Sequence, residues 1–329
     1  MDVIAEAKNL KKWFPVRLGF FKTLFSKRSL FVRAVDGISF YIRKKEILGL
    51  VGESGSGKTT TGRLMLRLLE PTGGQIFFEG RDITHLKGEQ LRSLRQKMQI
   101  VFQDPYESLN PRMTIGDIVA EPIRVLKLAN DEKEVMEKVY SILEDVQLIP
   151  PEEFVFRYPH ELSGGQRQRV NIARAFVVNP KFIVADEPVS MLDVSTRAEI
   201  LDLMTSLRDK YSTAFLYITH DLALTKHVCD RIAVMYLGKI VEAGQTDDII
   251  DNPMHPYTKA LISAVPVPDP DSRRIEVTIK GEIPSPINIP PGCRFHTRCP
   301  SAMGICQEKE PELIEIEKGR FVACHLWKK

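Results

Sequence analysis

Short apolar runs alternate with stretches of helical periodicity along the first 250 residues or so. Five runs have the length and composition of strands, at 34–42, 46–51, 99–102, 182–185 and 214–219. Most hold several apolar residues in succession, which is typical of strands buried on both faces of a parallel sheet. Apolar residues at helical spacing predict helices over 59–69 and 130–149, and the apolar stripe of the second helix indicates core packing. We therefore predict an α/β fold.

The pattern changes beyond about residue 248, where proline becomes frequent. Prolines of this region include those at 253, 256, 266, 268, 270, 284, 286, 290 and 291. Because proline fixes φ and lacks a backbone N–H, such a composition disfavours long helices and central strands. We expect an extended, wrapped appendage that ends in a group of cysteines.

Composition and charge narrow the class of protein. A chain of 329 residues accommodates one large unit and a smaller one. Charged residues make up 27% and the formal net charge is +3, so nothing attracts the chain globally to nucleic acid. We find no apolar run of about 18 residues and no basic-then-apolar start, which argues against a spanning helix and a signal peptide. We expect a cytoplasmic chain that reaches a membrane through a partner.

The first candidate site is a glycine loop between a predicted strand and a predicted helix. Residues 52–59 fit the pattern G-x-x-x-x-G-K-[ST], in which backbone N–H groups and the helix N-terminus face phosphate oxygens and the lysine reaches the outer phosphates. The predicted phosphate-binding residues are Gly52, Glu53, Ser54, Gly55, Ser56, Gly57, Lys58, Thr59 and Thr60. A second motif at 162–166 offers further N–H groups and a serine.

Polar side chains directly follow three other predicted strands. They are Gln103, Asp186, Glu187 and His220. In an open parallel α/β sheet, ligands bind at the carboxyl ends of the strands, so we expect these side chains to converge. A lone histidine after a strand is more often structural, but His220 follows its strand in the order that a hydrolytic site requires.

Hydrolysis of a nucleoside triphosphate needs neutralised phosphate charge, a magnesium ion and an aligned water. We predict that Thr59, Gln103 and Asp186 hold Mg²⁺. Glu187 is the predicted general base, and His220 donates to the γ-phosphate.

Together these residues resemble the ATP-binding subunit of an ABC transporter. The correspondence comprises a Walker A motif at 52–59, a glutamine loop at Gln103, a signature at 162–166, a Walker B motif at 182–187 and a switch histidine at His220. The resemblance implies a RecA-like core with a parallel sheet, an antiparallel β subdomain and an α-helical subdomain. The ATP-binding domain would span 1–250, with its helical part at about 104–175, and the appendage 251–329.

In that family two ATPase domains pack head to tail. The resemblance implies that one group of residues acts on ATP bound by the partner chain: Ser163, Gly164, Gly165, Gln166 and Asp193. Asp193 belongs to a segment that resembles the D-loop, with Met191 in place of the commoner alanine. An aromatic ring near the N-terminus would stack on adenine. Phe14 is our candidate and Trp13 the second, while packing of both rings under the first strand stays an alternative.

Further segments resemble the dipeptide and oligopeptide importer branch, at 103–113, 158–161, 255–261 and 292–300. This implies a second, related ATPase subunit in a heterodimer, two integral membrane permease subunits and, indirectly, an extracellular solute-binding protein. The chain would lie peripherally on the cytoplasmic face of the membrane. Nickel or oligosaccharide import stays open as an alternative. A soluble ABC ATPase acting on ribosomes or DNA is disfavoured by the single ATPase domain and the lack of a heptad run.

Four of the five cysteines lie near the C-terminus, at Cys293, Cys299, Cys306 and Cys324. Zinc sites usually contain tight C-x₂₋₄-C pairs, which these spacings lack. Four thiolates also suit an iron–sulfur cluster, and the resemblance implies a [4Fe–4S] cluster in some members. We predict such a cluster, with a structural or regulatory role. The neighbouring His296 and His325 keep Zn²⁺ open as an alternative, and the absence of any metal is a third possibility.

A basic, aromatic segment at 17–31 interrupts two predicted strands. We expect a surface excursion whose aromatic rings pack on the domain. A contact to membrane or partner is the alternative.

Overall fold

The computed structural model describes residues 2–16, 30–264, 279 and 281–327. Most of the basic, aromatic segment at 17–31 therefore lies outside the described residues, as do the prolines at 266, 268 and 270. The chain forms two compact units. The first comprises Met1–Ala5, Ile42–Ile47 and His85–Tyr217, and the second comprises Glu6–Tyr41, Leu48–Thr84 and Ile218–Lys329.

The first unit contains the strands β6 (Met98–Val101), β7 (Phe182–Asp186) and β8 (Ala214–Thr219), and the last two residues of β8 are assigned to the second unit. These strands lie side by side in the order β8-β7-β6. β6 and β7 pair in parallel. Every residue of β7 and β8 is buried, which confirms the prediction from their unbroken apolar runs.

The helices of the first unit include those of the predicted helical region. Their bounds are Gly88–Leu94, Pro105–Ser108, Ile115–Leu126, Glu132–Asp145, Pro151–Phe154, Gly164–Phe176 and Val194–Tyr211, with a 3₁₀ turn at Pro159–Glu161. The helix predicted over 130–149 is shorter, because Asp131 caps its start and Gln147, with φ 60°, leaves the helical conformation. None of the described helices is both long and apolar enough to cross a bilayer.

The second unit contains most residues of the remaining strands. Their bounds are β1 Val3–Pro15, β2 Phe31–Arg43, β3 Ile47–Val51, β4 Gly73–Phe78, β5 Arg81–Asp82, β9 Arg231–Tyr236, β10 Lys239–Gln245, β11 Ile314–Glu317 and β12 Arg320–Val322. The start of β1, the end of β2 and the first residue of β3 are assigned to the first unit. The strands form two groups, one in the order β11-β12-β10-β9-β3 and the other in the order β2-β1-β4-β5. β3 runs parallel to β9, whereas β9 and β10 are antiparallel.

The helices of the second unit are shorter. They span Lys58–Met65, Leu222–Val228, Thr246–Asp251, Pro256–Ser263 and Gly304–Glu308, with a 3₁₀ turn at His325–Trp327. Pro256 occupies the first position of its helix, where the missing N–H has no intrahelical role.

The C-terminal appendage differs from the extended segment that its prolines predict. β11 and β12 form an antiparallel hairpin, and β12 also pairs with β10, so β12 is an internal strand. The hairpin lies beyond the last proline, Pro311, and turns at Gly319, which has φ 79°. Proline composition alone was therefore a poor guide to these residues, whose alternating apolar pattern is that of a strand.

Candidate active site

The glycine loop follows the fully buried strand β3 and leads into the helix that begins at Lys58. Gly57 has φ 106°, and a Cβ placed on it would lie 2.1 Å from the carbonyl oxygen of Ala34. A Cβ on Gly52 would lie 2.2 Å from the carbonyl oxygen of Met235. Neither position has room for a side chain, so the loop conformation requires glycine at both.

The side chains of the loop are arranged for an anionic ligand. Lys58 is 5% exposed, and its Nζ donates to the carbonyl oxygens of Gly52 at 2.7 Å and Glu53 at 2.9 Å. Ser56 is also buried, and its Oγ has no hydrogen-bond partner among the described residues. A buried hydroxyl without a hydrogen-bond partner destabilises the folded state unless a ligand supplies the missing hydrogen bond. The loop therefore fits a phosphate group.

Glu53 has partners that the sequence pattern did not indicate. Its carboxylate accepts from Arg298 Nη1 at 2.8 Å and Nη2 at 3.1 Å, and its N–H donates to the Tyr257 hydroxyl at 2.9 Å. Hydrogen bonding to Glu53 raises the pKa of Arg298 above its ordinary value. Arg298 and Tyr257 lie in segments that served above only to indicate the importer branch. The sequence contained one indication of this contact: Glu53 is an acidic residue within an anion-binding loop, and such a residue favours a basic partner nearby.

Two of the predicted catalytic side chains lie together in the first unit. Gln103 Nε2 donates to Glu187 Oε2 at 3.1 Å. Glu187 has φ 47°, an unusual value for a residue other than glycine, and its carbonyl oxygen accepts from the N–H and hydroxyl of Ser190. Strained backbone of this kind clusters at functional sites. Asp186, just before it, is 6% exposed and ends β7.

The predicted magnesium ligands are divided between the two units. Gln103 and Asp186 belong to the first unit and Thr59 to the second. Their assembly around one ion stays a prediction.

His220 lies on the surface at the end of β8. The N–H of the neighbouring residue, Asp221, donates to Thr219 Oγ1 at 3.0 Å and fixes the turn after the strand. Asp221 also caps the next helix by accepting from the N–H of Ala223 at 2.9 Å. The ordered turn presents the imidazole to solvent, and its catalytic role stays a prediction.

The signature motif forms the N-terminus of a 13-residue helix. Ser163 caps it by accepting from the N–H of Gln166 at 3.3 Å, while Gln166 Oε1 accepts from the N–H of Ser163 at 3.0 Å. A Cβ on Gly165 would lie 2.6 Å from Thr196 Cγ2, so the helix end approaches the next helix closely there. The N-terminus of such a helix attracts an anion.

Asp193 caps the following helix, Val194–Tyr211. Its carboxylate accepts from Ser195 Oγ at 2.6 Å and from the N–H and hydroxyl of Thr196 at 3.0 and 2.8 Å. These hydrogen bonds, that from Ser195 foremost, lower the pKa of Asp193 well below its ordinary value. The nearby Met191 is 59% exposed, so the predicted D-loop presents side chains to solvent.

The two candidate adenine-binding rings differ in their contacts. Trp13 Nε1 donates to Asp36 Oδ1 at 2.9 Å, and the Arg33 guanidinium lies 4.7 Å from the indole centroid. Phe14 has the Lys12 ammonium 5.1 Å from its ring centroid. Because internal contacts already hold Trp13, they favour Phe14 as the platform.

The four C-terminal cysteines are free thiols. The N–H of Cys293 donates to the carbonyl oxygen of Cys306 at 2.8 Å. Burial foremost, with a smaller contribution from the neighbouring thiols of Cys306, Cys324 and Cys299, raises the pKa of Cys293 to about 11. The thiols are thus within electrostatic reach of one another. Within the described ranges, no three His, Cys, Asp or Glu side chains are close enough to hold a single metal ion.

Comparison with solved structures supports the fold. The chain is 27% identical to the ATP-binding cassette MJ0796, whose dimeric structure is described as a post-hydrolysis state bound to ADP and phosphate. The TM-score is 0.63, over 74% of this chain and 99% of that one. The ADP form of the cassette MJ1267 is 28% identical, with a TM-score of 0.62 over 77% of this chain and 96% of that one. The predicted α/β cassette fold is confirmed.

Comparison of sequences places the chain more narrowly. The profile described as ABC transporter matches residues 35–190, and that described as oligopeptide/dipeptide transporter, C-terminal region, matches residues 241–306. The oligopeptide transport ATP-binding protein AppF of Bacillus subtilis is 50% identical over 329 residues, covering 99% of this chain and 98% of its own. A probable peptide ABC transporter ATP-binding protein of Sinorhizobium fredii is 47% identical, covering 99% and 90%. The chain therefore belongs to the ABC transporter family, in the branch of the oligopeptide transport ATP-binding subunits.

Proposed function

We propose that this chain is the ATP-hydrolysing motor subunit of an importer for dipeptides or oligopeptides. The observation that carries the proposal is the near full-length similarity, at 50% identity, to an oligopeptide transport ATP-binding protein. The phosphate loop and the Gln103–Glu187 pair support it, because ATP hydrolysis requires groups that bind phosphate and a carboxylate that can accept a proton.

ATP binding rests on the loop at 52–60. Its backbone N–H groups and Lys58 neutralise phosphate charge, and the buried hydroxyl of Ser56 is available to a phosphate oxygen. Magnesium, when bound, neutralises further phosphate charge. The hydroxyl of Thr59, the amide oxygen of Gln103 and the carboxylate of Asp186 are oxygen ligands of the kind that suits it. Phe14 stacks on adenine.

Hydrolysis rests on Glu187. Its carboxylate takes the proton of the attacking water, and the hydrogen bond from Gln103 holds that carboxylate in place. His220 donates to the γ-phosphate. The hydrogen bond from Ser190 holds the strained backbone of Glu187 and so fixes the direction in which its side chain leaves the backbone.

The signature residues serve a second chain. The capped helix N-terminus at Ser163, with Gly164, Gly165 and Gln166, and the ordered Asp193 face ATP that the partner holds. We propose a heterodimer with a related ATPase, bound beneath two integral membrane permease subunits on the cytoplasmic face of the membrane. The segment from Gln103 to Thr114 contacts a permease and moves with nucleotide state. An extracellular solute-binding protein selects the cargo.

Isolation of the tagged full-length chain from detergent-solubilised membranes tests this assembly. We expect two integral membrane proteins and one related ATPase to co-purify in equal amounts. Ribosomes or DNA as the main companions would overturn the transport function. Measurement of which solute the associated binding protein retains distinguishes peptide from nickel or oligosaccharide.

The four C-terminal cysteines, Cys293, Cys299, Cys306 and Cys324, are free thiols that interact electrostatically. A [4Fe–4S] cluster requires four such thiolates, one at each iron. We propose that these four cysteines hold such a cluster, which stabilises the appendage and takes no part in hydrolysis.

Purification without oxygen tests the cluster. We expect about four irons per chain and a brown colour, and Cys306→Ser should lose most of the iron. Cys229→Ser is the matched control, because Cys229 is equally buried but lies outside the cluster, and it should keep the iron. A colourless, iron-free wild-type chain would overturn the proposal, and stoichiometric zinc would replace it with the alternative.

A further inference from the structure

A charged contact joins the C-terminal appendage to the phosphate loop. Arg298 is 8% exposed and grips both oxygens of Glu53, the second residue of the loop, at 2.8 and 3.1 Å. The two residues are 245 positions apart in the chain. Both belong to the second unit. Two parallel N–H to oxygen bonds from one guanidinium fix direction as well as distance.

The same loop residue is held from a second side. The N–H of Glu53 donates to the hydroxyl of Tyr257, which is fully buried. Tyr257 lies in the first turn of its helix, where its N–H donates to His255 Nδ1 at 3.0 Å. The buried carboxylate of Glu242 anchors this helix start by accepting from the N–H groups of Met254 and His255, both at 2.8 Å. Glu53 is therefore fixed at both its backbone and its side chain.

The charge of Glu53 explains why such a clamp is useful. A carboxylate at the second position of a loop that receives a triphosphate repels the ligand, and the repulsion is strong where little water screens it. Arg298 neutralises the charge of that carboxylate and, by binding both of its oxygens, restricts the Glu53 side chain to one rotamer. Lys58 contacts the carbonyl oxygen of the same residue at 2.9 Å, so a displaced Glu53 would also disturb the lysine.

We propose that Arg298 is a positioning residue for ATP binding, which acts through Glu53 and makes the affinity of the phosphate loop depend on the appendage. The inference rests on the ATPase function, since it concerns the affinity of the same loop for ATP. It adds a residue outside the nucleotide motifs to the machinery of binding.

Binding of Mg·ADP and Mg·ATP to the full-length chain, measured by calorimetry, tests the proposal together with steady-state kinetics of the assembled transporter. We expect Arg298→Met to raise Kd and KM for ATP about tenfold, since the loss of hydrogen bonds to a charged group changes an equilibrium constant by about this factor. The kcat should stay within about twofold, because the guanidinium of Arg298 binds Glu53, which has no proposed part in hydrolysis. The Kd of Arg298→Lys should lie between those of the wild type and Arg298→Met, because lysine keeps the positive charge but cannot make the two parallel hydrogen bonds.

Two comparisons separate positioning from general destabilisation. Arg231→Met is the matched control, because Arg231 is similarly buried in the same unit but its guanidinium lies over the Tyr41 ring, 4.5 Å from the centroid. It should leave Kd unchanged even where it lowers Tm. Adding Glu53→Gln to Arg298→Met should restore most of the affinity, because the repelling charge is then absent.

An unchanged Kd in folded Arg298→Met would overturn the inference. So would an equal loss in Arg231→Met, or a double variant no better than Arg298→Met alone. Failure of the wild-type chain to bind ATP would instead contradict the ATPase function, which keeps the two claims distinct.

Discussion

Replacing Glu187 by glutamine is expected to lower the rate of ATP hydrolysis about a thousandfold while ATP still binds. Glutamine keeps an acceptor oxygen for the Gln103 amide, which donates to Glu187 at 3.1 Å, but it cannot take a proton from water. The substitution therefore removes the base with little change of shape. Turnover of the assembled transporter and size-exclusion chromatography with ATP measure the effect, and the closed ATP-bound dimer should accumulate.

Glu152→Gln is a suitable control for this experiment. Glu152 is exposed at the start of a short helix in the same unit, and its substitution should leave turnover unchanged. Near-normal hydrolysis by Glu187→Gln would remove Glu187 as the general base.

The second large effect is expected from Lys58→Ala, which should weaken ATP binding about a hundredfold. The ammonium group neutralises phosphate charge and also bridges the carbonyl oxygens of Gly52 and Glu53, so its loss affects both the ligand and the loop. Calorimetric titration with Mg·ATP gives the change in Kd.

Lys133→Ala provides the comparison, because it removes an equal charge from a side chain that is 86% exposed on a helix. Its Kd for ATP should equal that of the wild type. An equal loss in the two variants would mean that overall charge, rather than the position of Lys58, governs affinity.

The strands at the centre of each unit could be predicted from the sequence. β7 and β8 are unbroken apolar runs, and burial on both faces demands such runs. The hairpin β11–β12 was missed because the proline count of the appendage was extended to residues beyond the last proline. The end of the helix at Asp145 was missed because a left-handed residue such as Gln147 leaves little trace in an apolar pattern.

Those parts of the candidate site that are formed by continuous segments could be predicted from the sequence. Contacts between distant residues and unusual backbone angles could not. The glycine loop and the signature are continuous segments whose backbone geometry follows from glycine and capping residues. The contact of Arg298 with Glu53 joins residues 245 positions apart, and no spacing rule connects them. The positive φ of Glu187 is equally invisible in the sequence, because its strain is maintained by Ser190 and the strand before it.

The pairing of β12 with β10, and the contact of Arg298 with the phosphate loop, bear on the order in which the chain folds during synthesis. The second unit combines residues 6–41 and 48–84 with residues 218–329. Since a ribosome releases the chain from its N-terminus, the contacts of the loop that binds ATP are complete only after residue 298 has been synthesised. Until then a nascent chain should bind nucleotide more weakly, and a truncation that removes Arg298 should affect a loop that lies 245 positions earlier in the sequence.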